Sequence, residues 1–148
     1  MFVKTCQILF ETDSEKETEE AGVGLASLLR EGDIVCLSGD LGAGKTCLVR
    51  GILAGLHADG GGRVKSPTYT ILNIYEGNPC VYHYDFFRVE DAGDITALGL
   101  DDYWGRGICL VEWPKGFCYS LPGRKIDVII ALAGETARKI KVAIPDVD

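Results

Sequence analysis

Eight consecutive residues, Gly39-Asp40-Leu41-Gly42-Ala43-Gly44-Lys45-Thr46, fit G-x-x-x-x-G-K-[ST], a loop built to hold nucleotide phosphates. Each residue type has a task there. Glycines let successive backbone N–H groups turn toward phosphate oxygens, and the start of the following helix adds positive potential. Lys45 can reach the β- and γ-phosphates, and the Thr46 hydroxyl can ligate Mg2+. The chain's own residue frequencies give roughly 0.01 chance matches to this pattern, which sets coincidence aside. Cys47 follows directly, in the first turn of the expected helix.

Such a loop needs carboxylates on neighbouring strands to complete a metal shell. Asp85 ends the run Cys80-Val81-Tyr82-His83-Tyr84-Asp85, and Glu112 ends Gly107-Ile108-Cys109-Leu110-Val111-Glu112. In open α/β sheets the carboxyl ends of the strands face the ligand crevice, so both are candidates. Spacing leaves open which of the two touches Mg2+ and which orients water. The N-K-x-D grip on guanine is missing, and Asp85-Phe86-Phe87-Arg88 is no D-x-x-G switch, so adenine is favoured. Trp113, next to Glu112, could stack on a purine or pack into the core. Two isolated histidines, His57 and His83, make no zinc site. His83 alternates with Tyr82 and Tyr84 and reads as a packed or hydrogen-bonded structural residue.

These residues must be positioned by strands and helices. Residues 33–38 form a short apolar run suited to a buried parallel strand. Residues 45–56 carry a helical stripe of Leu48, Val49, Ile52, Leu53 and Leu56. Ser14 opens an earlier helix with a capping-box pattern to Glu17, and Gly32 is expected to end it. Residues 3–10, 69–75, 80–84, 107–111, 126–132 and 140–144 read as strands, and 91–98 and 114–119 as short helices. Residues 57–62 read as a flexible turn without core residues. The pattern predicts a three-layer α/β domain over residues 1–148, P-loop NTPase-like, with a central mixed, largely parallel sheet.

Composition agrees: 148 residues, 47% apolar and 25% charged, are globular values. A net charge of −7 argues against a bare DNA- or RNA-binding face, so contact with a nucleic acid would run through a partner. Six cysteines contain no CxxC and read as reduced core thiols. No apolar run approaches the ~18 residues of a membrane span, and the N-terminus is too polar for a signal peptide. A cytoplasmic protein is expected.

Four segments, GDLGAGKT (39–46), VKSPTYTILNIY (64–75), YHYDFFRV (82–89) and LVEWP (110–114), together resemble the TsaE (YjeE) family. That family comprises P-loop ATPases of bacterial tRNA threonylcarbamoyladenosine synthesis. The resemblance implies ATP hydrolysis in support of a TsaB–TsaD complex that modifies adenosine 37 of tRNA, with tRNA met through that complex. It implies Walker A roles for Lys45 and Thr46, a Mg2+ site at Asp85 and Glu112, and adenine stacking by Trp113. It also implies a switch-like loop at Ser66-Pro67-Thr68-Tyr69-Thr70, with Thr68 near the γ-phosphate, and nucleotide contacts near Ser14, Lys115 and Arg138. Phe86-Phe87 stands where members often carry Leu-Tyr, and Cys47 where a Thr is common. Gly60, Gly61 and Gly62 precede the 66–70 segment, which predicts low activity until a partner orders the loop. A small-molecule kinase and a nucleotide-gated adaptor with negligible turnover are the competing readings.

Overall fold

A computed structural model describes residues 4–40, 42–58 and 71–146. Along the chain run β1 (Lys4–Thr12), α1 (Glu15–Ala26), β2 (Ile34–Ser38), α2 (Lys45–Gly55), β3 (Leu72–Tyr75) and β4 (Val81–Asp85). There follow α3 (Ala92–Ala97), β5 (Ile108–Glu112), a 3-10 helix (Gly116–Ser120), β6 (Lys125–Leu132) and β7 (Arg138–Asp146). The strands form one sheet in the order β1-β7-β6-β2-β5-β4-β3. Its centre, β6-β2-β5-β4, is parallel, while β3, β7 and β1 add antiparallel edges. This is the α/β architecture with a mixed, centrally parallel sheet that the sequence predicts.

β2 shows why the fold centres where it does. Ile34, Val35, Cys36 and Leu37 are each at most 1% exposed, as a strand covered on both faces requires. Val35 and Leu37 join the core under α1 and α2, with Leu25, Leu48, Ile52 and Leu53. Ile34 and Cys36 face the opposite core, with Tyr84, Phe86, Ile95 and Cys118. Each fully buried aliphatic side chain contributes about 1.5–3 kcal/mol over its exposed state. The second covering layer is partial. α3 and the 3-10 helix are too short to span the sheet, so Leu9 and Ile129 stay half exposed on the outer face of β1-β7-β6.

α1 lies on α2 at backbone distance. A Cβ on Gly51 would run into the Glu19 carbonyl, and one on Gly22 into that of Leu48. This contact carries the start of α1 up to the phosphate loop. Ser14 caps α1 by accepting from the Glu17 N–H at 3.1 Å. The return bond of the predicted capping box is displaced, because Glu17 accepts from the Asp13 N–H instead. α1 also ends six residues before Gly32. Ser27 donates its hydroxyl to the Gly24 carbonyl, and Leu28 and Leu29 close tight i→i−3 turns. Ala58 is fully buried in the main core, against the expectation of a coreless turn at 57–62, the rest of which past Ala58 lies outside the described residues.

At the far end of β2, Arg124 grips Asp33 with two parallel bonds of 3.0 and 2.8 Å and donates to the Leu28 carbonyl. The start of β2 is thereby tied to β6 and to the segment after α1. Among the described residues no helix is long and apolar enough to cross a membrane.

All six cysteines are free, and Cys36, Cys47, Cys109 and Cys118 are buried. Burial pushes the Cys36 and Cys109 thiols from 9.0 up to about 12, helped by neighbouring Cys118 and Asp127 at the first and Cys80 at the second. Unfolded thiols ionise near 9.0 while these stay protonated, so the stability they contribute is complete below that pH and is lost toward about 12. The melting temperature should therefore fall as pH rises from about 8 to about 10. Exposed Cys6 should meanwhile alkylate well ahead of the four buried thiols in native protein. A flat profile, or equal labelling of native and denatured chains, would contradict this burial.

Candidate functional site

Three parallel strands end level with one another. Leu37 of β2 is paired with Glu112 of β5, and Glu112 with Asp85 of β4. The two carboxylates therefore stand side by side, next to the loop that leaves β2. That loop turns through Gly42 (φ +80°) and Gly44 (φ +99°), left-handed conformations that suit glycine, and Gly44 then caps α2. Leu41 of the loop lies outside the described residues.

A pocket of about 360 Å³ opens at this point. Gly42, Gly44, Lys45, Thr46 and Cys47 form one wall, Asp85, Glu112 and Trp113 another, with Glu15 and Arg50 at the rim. Asp85 and Glu112 are 5% and 4% exposed, so both charges sit in a largely dehydrated wall where an ion-dipole interaction is strong. Asp85 Oδ1 accepts from the Phe87 N–H at 2.9 Å. Glu112 Oε2 lies 2.6 Å from His83 Nε2. Two carboxylates and a hydroxyl are hard oxygen donors, the chemistry that Mg2+ takes. Among the described residues no group of three or more His, Cys, Asp and Glu side chains is arranged to hold a metal ion.

Lys45 is nearly buried and already engaged. Its Nζ donates to the Gly39 carbonyl at 2.6 Å and stands 3.6 Å from the centre of the Trp113 ring. Burial pushes its ammonium below the ordinary lysine value, while Glu112, Asp85 and Asp40 pull the other way. Trp113 has φ +55°, a conformation a bulky residue rarely adopts, and its ring meets exposed Phe87 edge-on at 5.2 Å. One face of the indole is thus taken up by the loop lysine. A purine could stack on that face after the ammonium has left it.

A second pocket of about 150 Å³ continues over the loop. It shares Glu15, Gly42, Gly44 and Cys47 with the first and adds Thr18, Glu135, Thr136 and Arg138. Arg138 builds the junction: Nε donates to the Ala43 carbonyl at 2.8 Å, Nη2 to that of Gly42 at 3.3 Å and Nη1 to that of Ala137 at 2.9 Å. In a trans peptide the N–H opposes the C=O, so holding the Ala43 carbonyl turns the Gly44 N–H away from Arg138.

The structure brings Gly42, Gly44, Lys45, Thr46, Cys47, Asp85, Glu112 and Trp113 together, with Arg138 next to them. Lys115 lines a separate recess of about 210 Å³ beyond Trp113, with Gly39 and Asp40. Ser14 spends its hydroxyl on the cap of α1, and it is Glu15 and Thr18 of that helix that reach the pockets. Ala43 is buried beneath the loop. Thr68 and the whole 66–70 segment lie outside the described residues, as does 60–62. Glu15, Thr18 and Arg50 line the pockets without having been expected there, and His83 stands behind Glu112 in a place that sequence reading did not give. The available signal for His83 was its i, i+2 relation to Asp85, which puts both on one face of β4.

The chain matches the family described as "Threonylcarbamoyl adenosine biosynthesis protein TsaE" over residues 12–140. It is 39% identical over 136 residues to the "tRNA threonylcarbamoyladenosine biosynthesis protein TsaE" of Bacillus subtilis, covering 90% of this chain and 84% of that one. A protein of the same description from Treponema pallidum is 34% identical, covering 88% and 96%. The fold superposes on the crystal structure of YdiB from Bacillus subtilis with a TM-score of 0.73 at 32% identity, over 97% of this chain and 88% of that one.

Two measurements check the geometry. If the loop takes ADP, Arg138→Ala should weaken that binding by about 1.5–3 kcal/mol, the range of charge-assisted hydrogen bonds lost from the loop. Unchanged affinity would separate Arg138 from the loop's conformation. Lys45→Met should shift the Trp113 emission of nucleotide-free protein, measured in a Trp104→Phe background, since the ammonium leaves the ring. An identical spectrum would mean that the contact does not form in solution.

Proposed function

The chain belongs to the TsaE family, and from that membership we propose that it is an ATP-binding and ATP-hydrolysing subunit of tRNA threonylcarbamoyladenosine synthesis. It would act in the cytoplasm on a TsaB–TsaD complex, meeting tRNA through that complex and binding neither DNA nor membrane. The observation that carries the reading is the single pocket shared by a G-x-x-x-x-G-K-T loop and two buried carboxylates on level strand ends.

In this reading the phosphates lie along the start of α2, where the unpaired N–H groups and the helix dipole favour negative charge. Lys45 exchanges the Gly39 carbonyl and the Trp113 ring for phosphate oxygens. That exchange replaces a neutral acceptor and a π-face by full negative charge, a stronger partner for a partly dehydrated ammonium. Thr46, Asp85 and Glu112 are the residues that would hold Mg2+, which when bound neutralises charge developing on the phosphate oxygens. Asp85 and Glu112 divide between holding the metal and orienting the attacking water. Base and ribose would extend over the loop toward Thr18 and Arg138, in the second pocket. Trp113 is the alternative stacking platform once Lys45 has moved. Cys47 and Ala43 act through backbone, as parts of the phosphate cradle.

ATP hydrolysis is expected to be slow for the chain alone and faster with TsaB–TsaD, with Thr68 contributing near the γ-phosphate. Lys45→Ala should abolish phosphate release in the complete assembly while leaving the melting temperature within about 1 °C, because its partners are a carbonyl and a ring face and not the core. Glu112→Gln should lower kcat far more than ADP affinity. Near-normal turnover in Lys45→Ala would defeat the ATPase reading, and equal rates with and without TsaB–TsaD would defeat partner activation.

A further inference from the structure

His83 is fully buried on β4, two residues before Asp85 and on the same face of the sheet. The parallel pairing of β4 with β5 sets His83 opposite Leu110 and Asp85 opposite Glu112. From there the imidazole reaches diagonally forward to Glu112 Oε2 at 2.6 Å, with both side chains almost wholly removed from water. A carboxylate only accepts, so Nε2 is the donor. The other ring nitrogen, Nδ1, is buried with no hydrogen-bond partner among the described residues.

This is a poor way to fill a core. A buried acid–imidazole pair is often no more stabilising than apolar side chains of the same volume, and an orphaned ring nitrogen adds a desolvation cost. The arrangement does one thing that an apolar residue would not. It fixes one oxygen of Glu112, and with it the rotation of the carboxylate, at the wall of the phosphate pocket.

We propose that His83 is a positioning residue, which holds Oε2 of Glu112 so that the other carboxylate oxygen faces metal or water in one orientation. The proposal rests on the reading of Glu112 given above. His83 touches no substrate atom. Its effect runs through Glu112 alone, as outer partners of metal-site ligands commonly act.

The test compares His83→Leu, His83→Gln and His83→Asn, alone and with Glu112→Ala. Gln can carry its amide N–H to about the position of Nε2, whereas Asn is one methylene short. Phosphate release with ATP and Mg2+, ADP affinity with and without Mg2+, and thermal midpoint are measured on each. His83→Leu and His83→Asn should lose roughly tenfold or more in kcat, with KM for ATP within roughly threefold. His83→Gln should recover most of the loss. In the Glu112→Ala background His83→Leu should cost nothing further in kcat or in the Mg2+-dependent gain of ADP affinity. Equal losses in both backgrounds, full kcat in His83→Leu, or failure of all three variants to fold would make His83 structural and overturn the proposal. The two readings fail separately. A wild-type chain that hydrolyses while the losses simply add leaves the ATPase standing and removes the positioning. A wild-type chain silent with and without TsaB–TsaD, whose Mg2+-dependent ADP affinity still couples His83 to Glu112, removes the ATPase and keeps the positioning.

Discussion

The register of β2, β5 and β4 is the constraint on which the rest of this molecule depends. Leu37, Glu112 and Asp85 are consecutive neighbours across three parallel strands, so the phosphate loop and both carboxylates emerge at one level. A slip of one residue would turn a whole strand over and send its carboxylate to the other face. Burial on both faces prevents that slip. Val35, Leu37, Val81 and Leu110 fill one core, while Ile34, Cys36, Tyr84, Cys109 and Val111 fill the other, and neither set fits the opposite side. The Asp33–Arg124 clamp holds the far end of β2, so the site end inherits its position from a strand fixed along its length.

Within that frame the charged groups restrain one another. Lys45 is held by a carbonyl and an aromatic face, Asp85 by a backbone N–H, and Glu112 by an imidazole. Each charge therefore has a local partner while leaving the pocket wall lined by all three. The left-handed backbone at Trp113 belongs to the same arrangement. It brings the indole over Lys45 directly after the strand that carries Glu112, at a conformational cost that the packing must offset.

The phosphate loop, the strands that carry the carboxylates and the helix after the loop were legible because each is a local pattern. β2 and α2 fall within a residue or so of the predicted bounds. The end of α1 was not legible, since a serine hydroxyl and two tight turns stopped it ahead of the glycine that periodicity favours. Ala58 was misjudged because one small residue gives no periodic signal, although it packs into the main core. The partial second layer follows from the brevity of α3 and the 3-10 helix, which the strand pattern of β6 and β7 does not encode. His83 and Arg138 expose the deeper limit. What each does depends on a partner 29 and 95 residues away, and such distances become contacts only once strand order and register are set.

A chain of net charge −7 that reads as a binder of polyphosphate looks contradictory until the range of the forces is considered. Beyond about 8 Å, salt screens exposed charge, so the overall balance governs approach and solubility more than contact. At contact the loop would work with backbone dipoles, the turn at Gly42–Gly44 and the start of α2, which no charge count registers. Of the acidic side chains that reach the site, Asp85 and Glu112 form its buried wall, where a metal ion would turn them into assets, while Glu15 and Glu135 stand at the edges of the pockets. Elsewhere, Glu17 in the first turn of α1 is exposed where the helix dipole favours it, and Asp33 is buried against Arg124. An anion taken up here would be held through the backbone of the loop, and the glycine contact between α1 and α2, with the Arg138 bridge to β7, is what fixes that backbone.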